Sequence, residues 1–184
     1  MNDLARLSAA DRQRIIDEFV DATFAGTNPS APGANIAQGM RTMPAELPDD
    51  PSAEQVQAWV ELAELVGDDS FRARAREMAV AGSAGGTSSA EPFDPAPVQE
   101  HAGAAVADGI DPAAPEAGPV LDRIGVGDLD PAARAALAAQ IETFSDRRVE
   151  RYWALLGILN GWPAFPSTVP AFEWFAAALR ASDR

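Results

Sequence analysis

The stretch PDDPSAEQVQAWVELAELVGDD, residues 48–69, decides the fold class. Ser52 is a preferred N-cap residue, and Gln55 stands three positions on, where a capping-box partner belongs. Val56, Trp59, Val60, Ala63 and Val66 then fall on one face at helical spacing until Gly67, a common helix stop. This is an amphipathic helix with both ends marked. Asp68–Asp69 opens another, with Phe71, Ala75, Met78 and Ala79 at i, i+4, i+7 and i+8, and the two are expected to form a helical hairpin.

The same grammar extends outward. Upstream, Ser8 and Asp11 resemble a capping box, and Ile15, Ile16, Phe19, Val20 and Phe24 form a stripe that predicts a helix over about 9–25. TNPSAPGAN, 27–35, reads as a loop, and GSAGGTSSA, 82–90, as a flexible tract dividing an N-terminal part (1–81) from a C-terminal part (91–184) of one domain. Downstream, Asp94-Pro95, Asp111-Pro112 and Asp130-Pro131 each set a preferred N-cap residue before a proline suited to the first helical position. They predict an Ala-rich helix around 95–108, a short helix within 111–127, and a helical run over 131–160 that is either continuous or broken near Ser145–Asp146. GWPAFPSTVP, 161–170, must be irregular, because proline removes donors and restricts the preceding residue. A last helix carries Phe172, Phe175, Ala176 and Leu179 and ends near Ala181. No segment alternates with period two over more than a few residues, so the fold class is all-α, a single domain of about six to eight helices joined by Pro/Gly-rich connections. No fixed-period repeat marks a solenoid.

Composition narrows function. The chain has 184 residues, 14 basic against 28 acidic side chains, a formal charge of −14, and 47% hydrophobic residues. Every basic residue is arginine. A chain of this size buries roughly 70% of its unfolded surface, so it needs no disulfide or metal staple. The charge repels phosphate backbones and anionic membranes, so this chain alone is expected to bind neither. Without cysteine and with one histidine, thiolate and His-rich metal sites are excluded; carboxylate-only sites stay open, but neither a metal nor a cofactor is expected. The N-terminus lacks an apolar signal region and no apolar run suits a membrane span, so a cytoplasmic location is expected. There is no GxSxG elbow, phosphate loop or HExxH, and GVGDLD (125–130) follows no strand. No catalysis is expected.

The aromatics are the most informative feature. Seven of the 13 lie within 152–175: Tyr152, Trp153, Trp162, Phe165, Phe172, Trp174 and Phe175. Adjacent helical residues point about 100° apart, so Tyr152 and Trp153 cannot both face one seam, and Trp174 sits on the flank of its stripe. Trp162 and Phe165 stand in the Pro-rich connection, where an aromatic has less reason to fill a core. Such side chains suit a cavity for a flat or lipophilic molecule. The candidate ligand-binding residues are therefore Trp59, Tyr152, Trp153, Trp162, Phe165 and Trp174, with His101 or Glu173 as polar anchor or counter-ion. The competing reading of each aromatic is simple core packing.

MPAELPDDPSAEQVQAWVELAELVGDDSFRARAREMA (43–79), PFDPAPVQEHAGAAVADGIDP (92–112) and RVERYWALLGILNGWPAFPSTVPAFEWFAAALRA (148–181) together resemble the C-terminal effector region of actinobacterial MerR-type transcription regulators. In that family a winged helix-turn-helix and a dimerisation helix precede this region, which senses a lipophilic or cationic drug. Here the chain starts near LARLSAADRQRIIDEF (4–19), where the effector region would start, so the resemblance implies either an excised domain or a stand-alone relative. The family's metal sensors use cysteines, so metal sensing does not carry over. The expectation is an effector-binding domain for a small hydrophobic or cationic organic ligand, with homodimerisation left open. The alternatives are a stand-alone drug-sequestering resistance protein, a helical protein-interaction or dimerisation domain, and a small enzyme using His101 with a carboxylate.

Overall fold

A computed structural model describes residues 4, 7–28, 39–40, 47–84 and 94–182. It is all-α. The α-helices whose bounds lie among the described residues are α1 (Ala9–Phe24), α2 (Ala53–Gly67), α3 (Asp69–Ala84), α4 (Gly103–Ala107), α5 (Ala117–Ile124), α6 (Pro131–Phe144), α7 (Arg147–Leu159) and α8 (Val169–Ala181), and a π-helical turn, Val98–Ala102, leads into α4. No described residue forms a strand. The chain groups into two compact units, residues 1–89 with 148–165, and 90–147 with 166–184.

In the first unit, local chemistry sets the helix ends. Ser52 accepts from the Gln55 N–H at 3.1 Å, while the Gln55 side chain accepts from the Ser52 N–H at 3.0 Å, the full reciprocal box expected at the start of α2. Ser8 likewise accepts from the Asp11 N–H. At α3, Asp68 accepts from the Phe71 N–H and the Ser70 hydroxyl, which holds its carboxyl below the ordinary range. The core gathers Ile16, Phe19 and Val20 of α1, Trp59, Leu62 and Val66 of α2, Phe71 of α3, and Tyr152, Leu155, Leu156 and Leu159 of α7. Phe19 stacks on Phe71 with centroids 5.5 Å apart, and Tyr152 leans on both. Trp59 and Arg12 secure the chain before α1. The Trp59 indole donates to the Leu4 carbonyl at 2.7 Å, Arg12 donates to the Leu7 carbonyl, and the guanidinium lies over the indole ring.

In the second unit α6 packs against α8, and small side chains allow close approach: Ala102, Ala105, Ala117, Ala138, Ala171 and Ala178 are all buried around Trp174, Phe175 and Leu179. Asp130 caps α6 from its side chain, with Pro131 at the first position. Gly125 ends α5 at φ +87°, a conformation open to glycine, so this glycine of GVGDLD serves as a helix stop.

Three expectations need correction. Asp111-Pro112 starts no helix: Asp111 folds a turn, accepting from the Ala113 N–H, and α5 begins only at Ala117. The tract expected over 82–90 is helical through Ala84, and its remainder lies outside the described residues, as do residues 29–35 of the loop expected over 27–35. Residues 148–165, placed by sequence with the C-terminal part, belong to the first unit, because Tyr152, Leu155, Leu156 and Leu159 complete the core of α1–α3. The run over 131–160 is two helices, parted at Ser145–Asp146.

Candidate functional site

In the first unit a groove of about 490 Å³ runs between the start of α2, one face of α7 and the connection after it. Arg151, Ala154 and Ile158, at i, i+3 and i+7, turn to the groove, while Tyr152, Leu155, Leu156 and Leu159 turn to the core. Ser52, Glu54 and Gln55 form the polar wall. Trp162, Pro163 and Phe165 form the apolar one, and Trp162 and Phe165 keep 43% and 48% of their surface exposed. The volume lies within the range that takes a small organic molecule.

The position of Trp162 is set by how α7 ends. Gly161 adopts φ +67°, the Gly161 N–H donates to Ile158, and the Trp162 N–H donates to Gly157 at 2.8 Å, the two bonds of a Schellman motif. Trp162 therefore turns back over α7. It lies over Gly157, where an added Cβ would sit 3.7 Å from the indole. Gln55 also joins the two walls, donating from its amide to the Leu159 carbonyl at 3.3 Å.

The polar groups of the groove are unequally committed. Arg151 donates through Nε and Nη2 to both oxygens of Glu61, each at 2.6 Å. This bonding holds the Glu61 carboxyl below its ordinary range, against the opposing effect of partial burial, and pushes the Arg151 guanidinium up. Gln55 is occupied by the cap and by Leu159. Among the described residues the Glu54 carboxylate has no side-chain partner; it lies exposed in the first turn of α2, at the positive end of the helix dipole.

Of the residues singled out by sequence, Trp162 and Phe165 line this groove. Trp59 and Tyr152 are core, at 0% and 1% exposure, and Trp153 is half-buried with its ring edge-on to Tyr152. Trp174, in the second unit, is buried and its indole donates to the Ile110 carbonyl at 2.7 Å, so its polar atom is spent structurally. Glu173 is not an unpaired counter-ion, because Arg147 grips both its oxygens. His101 sits half-buried in the π-helical turn of the second unit. Sequence reasoning missed Glu54, Arg151 and Ile158. The spacing of α7 held a signal, since Arg151, Ala154 and Ile158 share one side of the helix, along the flank of its apolar stripe.

A smaller hollow in the second unit, about 280 Å³, is lined mainly by Ala and Pro of 112–117 with Ala178, Ala181 and Ser182. The Ser182 hydroxyl there donates to Leu179, so the hollow offers little polar chemistry. Among the described residues no group of three or more His, Asp or Glu is placed to hold a metal ion, and no helix is long and apolar enough to cross a membrane. Comparisons with models of known families, with curated proteins and with solved structures returned no match.

Proposed function

We propose that this protein is a small-molecule binding module that holds a lipophilic organic cation in the groove of Glu54, Trp162 and Phe165. One observation carries the reading: two half-exposed aromatic rings line the same groove as a carboxylate that has no partner among the described residues, while the guanidinium of that lining is bound to Glu61. Aromatic faces attract cations through the ring quadrupole, and an exposed carboxylate in the same lining adds a complementary charge. An anion would meet the Glu54 charge with Arg151 already taken. Among the described residues the lining pairs no nucleophile with a base, and the activity proposed is binding without turnover. In a regulator of the MerR type, as the sequence resemblance implies, such a ligand would act through unequal affinity for two conformations of the whole protein. As a stand-alone cytoplasmic protein, the same binding would sequester the drug.

The test is a titration followed by tryptophan emission and thermal shift, using tetraphenylphosphonium, a neutral aromatic of similar size and an aromatic sulfonate. The cation should quench emission saturably and raise the melting temperature, and the sulfonate should do neither. If no member of the set binds, the reading fails. A second reading, a helical interaction or dimerisation domain, draws on the exposure of Trp162 and Phe165. Light scattering separates them, since a dimer that dissociates on Trp162→Ala would favour that alternative.

A further inference from the structure

Of the four asparagines, Asn160 is the one followed by glycine, and this pair sits at the end of α7 beside the groove. An Asn-Gly pair is chemically labile, because the next peptide nitrogen meets no side chain when it approaches the amide carbon. Gly161 is exposed, and nothing lies within 4 Å of where its Cβ would be. We propose that Asn160–Gly161 is a self-modification site, at which the folded protein deamidates and isomerises without an enzyme. The Gly161 nitrogen loses its proton to solvent base and attacks Cγ of Asn160. The Cγ–Nδ2 bond breaks, ammonia leaves, and a cyclic imide remains. Water then opens the ring at either carbonyl, giving aspartate or isoaspartate, with no oxidant or further reactant required.

The fold regulates the step. The Asn160 amide donates to the Leu156 carbonyl at 2.8 Å, and the attacking N–H donates to the Ile158 carbonyl through a long bond of 3.3 Å. Both bonds belong to the last turn of α7, where helices open most readily. Attack waits for that turn to open, so the native protein reacts more slowly than the unfolded chain but still reacts. The product differs in structure. A carboxylate accepts hydrogen bonds and cannot donate to Leu156, and it places negative charge at a helix C-terminus, where the dipole opposes it. Isoaspartate also adds a methylene to the backbone of residue 160, just before Gly161, displacing the Trp162 indole from Gly157. The modification therefore remodels the groove wall, whatever the groove binds.

The experiment is peptide mapping by mass spectrometry of the full chain during incubation at mildly alkaline pH, folded and in urea, with Asn160→Gln in parallel. The native chain should lose the Asn160 amide several-fold more slowly than the chain in urea and faster than at Asn2, Asn28 or Asn35, with isoaspartate among the products. Its tryptophan emission should change in step, and Asn160→Gln should show neither change. If the native chain keeps the Asn160 amide while the chain in urea loses it, or if Asn160 reacts no faster than the other three, the proposal is overturned. Conversion at Asn160 with unchanged tryptophan emission would overturn the remodelling.

Discussion

Arg151 meets Glu61 through two hydrogen bonds of 2.6 Å, which leaves Glu54 as the charged group of the groove with no side-chain partner among the described residues. The pair crosses from α7 to α2 and is separated by 90 residues in sequence. Its energetic worth is modest, because both side chains remain more than a third exposed and solvent screens them. Its value to the site is electrostatic, since an unbound guanidinium in the lining would repel a cation and compete for Glu54.

Glu61→Gln is accordingly expected to act mainly on binding. With Glu61 neutral, the Arg151 charge in the lining is no longer offset, and affinity for an organic cation should fall several-fold. Stability should fall by only about 0.5 kcal/mol. Parallel ligand titration and urea denaturation check both halves, and a variant that binds as the parent does would contradict the role given to this pair.

Acid should weaken the same contact. The Glu61 carboxyl is held below its ordinary range in the folded protein, chiefly by the hydrogen bonds from Arg151, and Glu142 is held low in the same way by Arg180. A depressed carboxyl stabilises the fold above its unfolded value, and that stabilisation is lost as pH falls through the folded value. Each contribution, reduced by screening, is below about 1 kcal/mol. Urea midpoints measured from neutral pH downward should decline less steeply in the double variant Glu61→Gln, Glu142→Gln than in the parent.

Trp162 and Trp59 should respond in opposite ways. Trp162→Ala removes a half-exposed ring and should cost binding at least about tenfold, or 1.4 kcal/mol, with little change in melting temperature. Trp59→Phe removes the donor to Leu4 and opens space in a sealed core, and should cost about 2 kcal/mol of stability. Calorimetry and ligand titration on both variants separate the site from the scaffold.

Tyr152 carries a hydroxyl that is buried without a hydrogen-bond partner among the described residues. A stranded polar group of this kind costs about 1–3 kcal/mol, so Tyr152→Phe should stabilise the protein by about 1 kcal/mol. Burial also pushes the phenol well above its ordinary value of 10.0. A group that resists ionisation in the folded state favours the fold below its unfolded pKa and withdraws that stability as pH rises beyond it. Alkaline denaturation should therefore set in at higher pH for Tyr152→Phe.

The helices of this protein are legible wherever a short-range signal sets their ends. Ser52 with Gln55 and Asp130 with Pro131 act within a turn or two of themselves, so they can be read directly. Asp111-Pro112 misleads because an Asx turn and a helix start use the same residue, and the residues after the proline choose between them. Periodicity is blind to partners. Nothing local distinguishes α7, which fills the core of α1–α3, from its neighbour α6, which packs with α8.

The same limit applied to the site. Sequence alone determined an all-α chain, its main helix ends, and an unusual density of aromatics over 152–175. Tertiary structure decided which of those rings remain available. Trp59 and Trp174 are spent on carbonyls 55 and 64 residues away, Glu173 on Arg147, and Arg151 on Glu61. Helix formation is governed by interactions over three or four residues, which the sequence displays. Whether a side chain is buried, bonded or free depends on contacts across the whole chain, and these exist only once it has folded.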